Sequence, residues 1–164
     1  MSEVPEYVVD RKFDAPRAMV WRAWTDPELL ARWYGPGVDT IIHKFDLKPG
    51  GEWLNEMKWG EKSDLSKAVF QEVVPEEKMV WHHSSTDADW NIVSNPMMAD
   101  WPRVLLTVVT FKDDGDRTSV RLTWTPLDAS EAEMACFANV VGNMGKGWES
   151  GFAIMDEILA EMQA

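Results

Sequence analysis

Residues 24–36 read WTDPELLARWYGP, and the fold turns on how this stretch is parsed. Asp26 is placed to cap a helix, and Pro27 suits the first helical position, where its missing N–H would have no partner anyway. Leu29, Leu30 and Trp33 then fall on one face before Gly35 and Pro36 end the helix. The preceding run, PRAMVWRAWT at 16–25, predicts another short helix, started at Pro16 and carrying an apolar stripe of Met19, Val20, Ala23 and Trp24. Two helices this short cannot bury themselves, so the rings of Trp24, Trp33 and Tyr34 must close over one end of something larger.

The flanking sequence supplies that larger element as strands. Val4–Phe13 alternates loosely, is rich in β-branched and aromatic residues and ends at the turn DAP. Val38–Lys48 and Glu52–Gly60 flank KPGG, a tight connection with the glycines a hairpin requires. Ala68–Val74, Lys78–Ser84, Arg103–Asp113 and Thr118–Thr125 follow, separated by turns such as PEEK and DDGDR. The expectation is an α+β domain spanning 1–164, with about six to seven strands in a mostly antiparallel sheet, and no repeat or low-complexity linker divides it. At the C-terminal end, Ser130 and Glu133 have capping-box spacing. Behind them an apolar stripe from Met134 to Met162 recurs every three or four residues, predicting one long helix against the sheet. Glycines at 142, 145 and 147 interrupt it, so the helix kinks there or leaves room beside it. The segment 84–102, SSTDADWNIVSNPMMADWP, is long for a connection; it reads equally as a lid or as an excursion pinned by Trp90 and Trp101.

Composition narrows the function. Against 16 basic residues stand 28 acidic ones, and a net charge of -12 repels a phosphate backbone, which argues against nucleic acid as partner. No apolar run approaches membrane-spanning length and the N-terminus lacks the order of a signal peptide, so a cytoplasmic protein without membrane insertion is expected. Cys136 is the single cysteine and reads as a small apolar residue in a helix. Oligomeric state, including a homodimer, is left open.

Strand alternation nominates inward residues. Trp53, Asn55, Met57 and Trp59 share one face, Ile41, His43, Phe45 and Leu47 share another, and Val120, Leu122 and Trp124 share a third. His43 and Asn55 would then be polar groups on apolar faces, each in need of a hydrogen-bond partner. His82 and His83 are adjacent and point to opposite faces, so they cannot jointly hold an ion; with three histidines and one cysteine, neither a zinc site nor a calcium loop is expected. GWESGF is off the nucleophile-elbow spacing and places Ser150 inside a helix, while GNMGKG has the wrong glycine order for a dinucleotide site. No cofactor is implied. What remains is an aromatic, methionine-rich interior with few polar groups, the make-up of a pocket for flat or greasy molecules.

Five segments in this order, FDAPRAMVWRAWTDPELLARWYGP, DLKPGGEW, FQEVVPEEKMVW, VTFKDDGDRTSVRLTW and GWESGFAIMDEIL, resemble the successive motifs of the SRPBCC, or START-like, superfamily. The branch they are most similar to groups homologues of the activator of the heat-shock-protein-ninety ATPase with polyketide-cyclase-like bacterial proteins. The resemblance implies a helix-grip fold, a curved antiparallel sheet around a long C-terminal helix, with two short helices closing one end and a cavity between. Trp33, His43, Trp53, Asn55, His83, Phe111, Trp124, Met144, Trp148, Phe152 and Met155 are the residues expected to meet a hydrophobic ligand there. The leading expectation is a non-enzymatic binder of a hydrophobic or aromatic small molecule. Two others stand beside it: a cyclase or hydrolase using His43, Glu72 or His83 as general base on a carbonyl compound, and a chaperone regulator, implied only by the branch's name.

Overall fold

The structure, a computed structural model, describes residues 4–35, 37–95, 98–143 and 145–163, the side chain of Lys146 excepted. Among these residues the strands are β1 (Tyr7–Phe13), β2 (Asp39–Phe45), β3 (Glu52–Trp59), β4 (Lys62–Val74), β5 (Lys78–Ser85), β6 (Leu105–Asp114) and β7 (Arg117–Pro126). They form one antiparallel sheet in the order β1-β7-β6-β5-β4-β3-β2. The helices are α1 (Arg17–Thr25), α2 (Pro27–Trp33), α3 (Glu131–Val141) and α4 (Gly145–Gln163). This is the helix-grip arrangement.

Although β1 and β2 are consecutive strands, they occupy opposite edges of the sheet, so the chain between them must cross its whole width. Helices α1 and α2 make that crossing. Asp26 caps α2 by accepting a hydrogen bond from the Glu28 N–H at 3.0 Å, and Pro27 follows as the first helical residue. The crossing is fixed by its rings: Trp24 and Trp33 meet edge to face with centroids 4.6 Å apart, and the Trp33 indole N–H donates to the Ala23 carbonyl at 2.8 Å. Both tryptophans are fully buried with Val20, Ala23 and Leu30, each large apolar side chain contributing roughly 1.5–3 kcal/mol.

The inward faces of β3 and β7 are those expected, with Trp53, Asn55 and Met57 on one and Val120, Leu122 and Trp124 on the other. On β2 the expectation fails halfway. A bulge between Ile42 and Lys44 inserts an extra residue at His43, so Ile42, Phe45 and Leu47 pack on the core while Ile41 and His43 face solvent. Strand β4 begins at Lys62, well before Ala68, because Trp59 pairs with Lys62 across a tight hairpin. A second bulge between Phe70 and Glu72 turns Glu72 outward, where its carboxylate lies 3.3 Å from Lys78.

The C-terminal helix is two helices. Ser130 and Glu133 form the expected capping box at the start of α3, but the helix stops at Gly142, and α4 starts at Gly145. Phe137 of α3 packs with Trp101 and Leu105 in a small core of its own, which Met98 and the half-buried Cys136 join. That core holds one end of the 84–102 segment. Near its other end, Trp90 lies 5.4 Å from the His43 ring and its carbonyl accepts from Lys67 Nζ at 3.0 Å, on the outer face of the sheet. The excursion is therefore pinned by both tryptophans. Helix α4 lays Phe152, Met155, Ile158 and Leu159 on the sheet, and Asp156 is gripped by both Arg11 guanidinium nitrogens at 3.0 and 2.9 Å.

Candidate functional site

A cavity of about 340 Å³ lies between the sheet, the end of α2 and the first half of α4. Trp33, Tyr34 and Gly35 line it from the turn after α2, Met57 from β3 and Trp124 from β7. Asn143, Gly147, Trp148 and Gly151 line it from the α3–α4 junction and from α4. Its walls are mostly rings: Trp148 stands 5.6 Å from Trp124 and 6.1 Å from Tyr34, and Tyr34 stands 5.8 Å from Trp33. Asn143 and Gly147 are exposed, so the opening lies on that side.

Glycine makes the cavity possible at two places. At Gly35 the backbone adopts φ +80°, and a Cβ there would come within 2.8 Å of Thr40 Oγ1 and 2.9 Å of Met57 Cε. The turn is held in that position by the Thr40 hydroxyl, which donates to the Tyr34 carbonyl at 2.6 Å. At Gly147 a Cβ would meet nothing within 4 Å, so the missing side chain is open space on the cavity wall.

Beside the rings the sheet carries a polar strip. The register aligns Asn55 with Ser66 and Ser66 with Ser85, and aligns Met57 with Asp64, so these side chains share the inner face with the cavity lining. Asn55 is 2% exposed, and among the described residues neither its amide oxygen nor its amide nitrogen has a hydrogen-bond partner. The indole N–H of Trp53, one pleat away, is likewise unpartnered. Burial raises the Asp64 carboxyl pKa, and burial together with the Asp64 charge raises that of the Tyr34 phenol. His83 stacks on Trp124 with ring centroids 6.2 Å apart, and burial pushes its pKa down to about 4, which keeps the imidazole neutral at neutral pH.

Of the residues expected at a ligand, Trp33, Trp124 and Trp148 line the cavity directly. Asn55 and His83 lie on the inner face beside it, and Trp53 packs against Tyr34 at 4.9 Å. Phe152 sits beneath the lining, 5.7 Å from Trp148, while Met155 lies in the core and Phe111 in the core under α1, 5.2 Å from Trp21. Met144 lies outside the described residues. The inward placement of His43 is corrected: its side chain is 42% exposed on the outer face, with Nε2 2.8 Å from Glu56 Oε1. Glu72 is corrected in the same way, since both residues owe their orientation to a bulge that alternation from a neighbouring strand cannot reveal. Of the three candidate bases, His83 alone faces inward.

Sequence reasoning passed over Gly35, Met57, Asn143 and Gly151 as lining, and Asp64 and Ser66 as part of the polar strip. Met57 was on the right face, and the glycine run from 142 was a signal for Asn143; Gly35, Gly151, Asp64 and Ser66 carried none. Among the described residues, no three His, Cys, Asp or Glu side chains gather as a metal-holding group, and no helix is long and apolar enough to cross a membrane.

The family signature of the Activator of Hsp90 ATPase homolog 1-like proteins matches residues 14–160. The chain belongs to that family. Solved structures similar to this member include the Mycobacterium smegmatis protein Ms6760, at 20% identity and TM-score 0.77 over 96% of both chains. An Arthrobacter aurescens protein is 20% identical with TM-score 0.79, over 95% of this chain and 86% of its own. DynU16, from the dynemicin biosynthetic locus, is 17% identical with TM-score 0.62 and is matched over 94% of this chain but only 47% of its own. At such identities the likeness establishes the helix-grip fold. No curated protein matches the sequence.

Proposed function

We propose that the protein binds a hydrophobic or aromatic small molecule in the cavity between the sheet and α4, without transforming it. The observation that carries this reading is the ring-lined volume of about 340 Å³, at the lower end of the range for small-molecule pockets and large enough for a compact two- or three-ring compound. Family membership supports it, because it suggests a ligand-binding fold. The test is native mass spectrometry of the protein incubated with a small-molecule extract of its host. A reproducible added mass, weakened by Trp148→Ala, is the expected result; bare protein in every extract would sink the reading.

His83 favours a second reading, a cyclising or hydrolytic step on a carbonyl compound. Its imidazole is unprotonated at neutral pH and faces the interior, as a general base must. Binding alone ranks first because a base with a pKa of about 4 offers little driving force for proton abstraction at pH 7. If the captured compound is converted by the wild type and left intact by His83→Gln, this order reverses.

A further inference from the structure

We propose that Asn55 reads the ligand, whose edge presents a hydrogen-bond donor and acceptor side by side, as a neutral lactam does. The inference rests on the binding reading above and names the class of molecule bound. Asn55 is 2% exposed, and its carboxamide offers one acceptor oxygen and a two-hydrogen donor nitrogen, neither of them partnered among the described residues. Buried amides in folded chains are nearly always satisfied, so an amide orphaned at both ends marks a group whose partner arrives from outside.

Its place in the fold supplies the route. Asn55 is one pleat from Met57, which lines the cavity, and on the same face. Across the ladder it faces Ile42 on one side, which has no polar side-chain atom, and Ser66 on the other. Ser66 and the next inward residue of β4, Ala68, are small, so no bulky side chain of that strand stands across from the amide. The rings of Trp33, Tyr34, Trp124 and Trp148 favour a flat body for the rest of the ligand.

The surroundings select a neutral edge over a carboxylate. Asp64 shares the inner face one pleat further along, and the neutral imidazole of His83 supplies no opposing charge. A ketone alone would satisfy only the Asn55 nitrogen, and a ring N–H alone only its oxygen. A lactam satisfies both at once, because its C=O and N–H point the same way, and the match holds for either orientation of the Asn55 amide.

Three bicyclic probes of similar outline separate these possibilities: naphthalene, quinoline and 2-quinolone, with Kd measured by equilibrium dialysis. The wild type is expected to bind 2-quinolone about tenfold more tightly than the other two, the discrimination that one additional satisfied buried pair provides. Asn55→Leu, close in volume and without polar atoms, should bind all three alike, keep its naphthalene affinity and melt no lower than wild type. Should leucine not fold at this position, Asn55→Ala makes the same comparison. Equal affinities in the wild type, or a lactam preference that survives loss of the amide, would overturn the role of Asn55 while leaving the cavity reading intact. If none of the three binds, the cavity reading fails and this inference fails with it.

Discussion

His43 and His83 show how little residue type says without its environment. His43 stands in the open beside Glu56, whereas burial pushes the His83 pKa from the ordinary 6.5 down to about 4. The consequence for stability has a definite sign. Above pH 6.5 the imidazole is neutral whether the chain is folded or unfolded, and it contributes nothing to the pH dependence. As pH falls from 6.5 toward 4, the unfolded chain takes up a proton that the folded chain refuses, so stability declines, and below about 4 the loss is complete. Its size is at most about 3 kcal/mol. Asp64 works in the opposite sense, since a carboxyl whose pKa is raised on folding favours the folded chain as it protonates. Urea denaturation of wild type and His83→Gln at several pH values between 7 and 4 isolates the histidine. The wild type should lose more stability than the variant across that window, and parallel curves would contradict the burial of His83.

Whole elements were legible wherever the sequence period runs unbroken. Strands β3 and β7 follow strict alternation, and the capped starts of α2 and α3 stand where Asp26 and Ser130 point. The first half of β4 was illegible for a physical reason: its inward residues are Asp64 and Ser66, so its pattern inverts what a core strand should show. That inversion is also what builds the polar strip beside the cavity. The two bulges hid their consequences for the same kind of reason, because one inserted residue changes the parity of everything beyond it. The aromatic half of the site could be read from Trp33, Trp124 and Trp148, but its volume could not, because it depends on open space at Gly147 and on a turn at Gly35 packed closer than a side chain would allow. This separates folding from binding at α4. Gly147→Leu places a good helix former where a Cβ meets nothing within 4 Å. The variant should melt at or above the wild-type temperature by circular dichroism while losing the bound mass in native mass spectrometry. Retained binding would place the ligand elsewhere.

At the scale of the molecule, an open sheet is held closed on its helix by the α1–α2 crossing at one end and by links such as Arg11–Asp156 along α4. These links work against the field of the whole chain, since 28 acidic residues outnumber 16 basic ones. The described ion pairs are partly or largely exposed, and such pairs contribute roughly 0–1 kcal/mol each, so screening them costs little. Screening the self-repulsion of a net charge of -12 should gain more. Raising sodium chloride from about 10 to 150 mM shortens the Debye length from roughly 30 to 8 Å, which uncouples distant like charges while leaving buried apolar packing untouched. The melting temperature is therefore expected to rise over that range. A neutral ligand, held by rings and one amide, should bind with an affinity that barely changes across it. A melting temperature that falls with salt would mean that attractive pairs such as Arg11–Asp156 outweigh the net repulsion. An affinity that climbs steeply with salt would mean that the ligand itself carries negative charge into the acidic molecule.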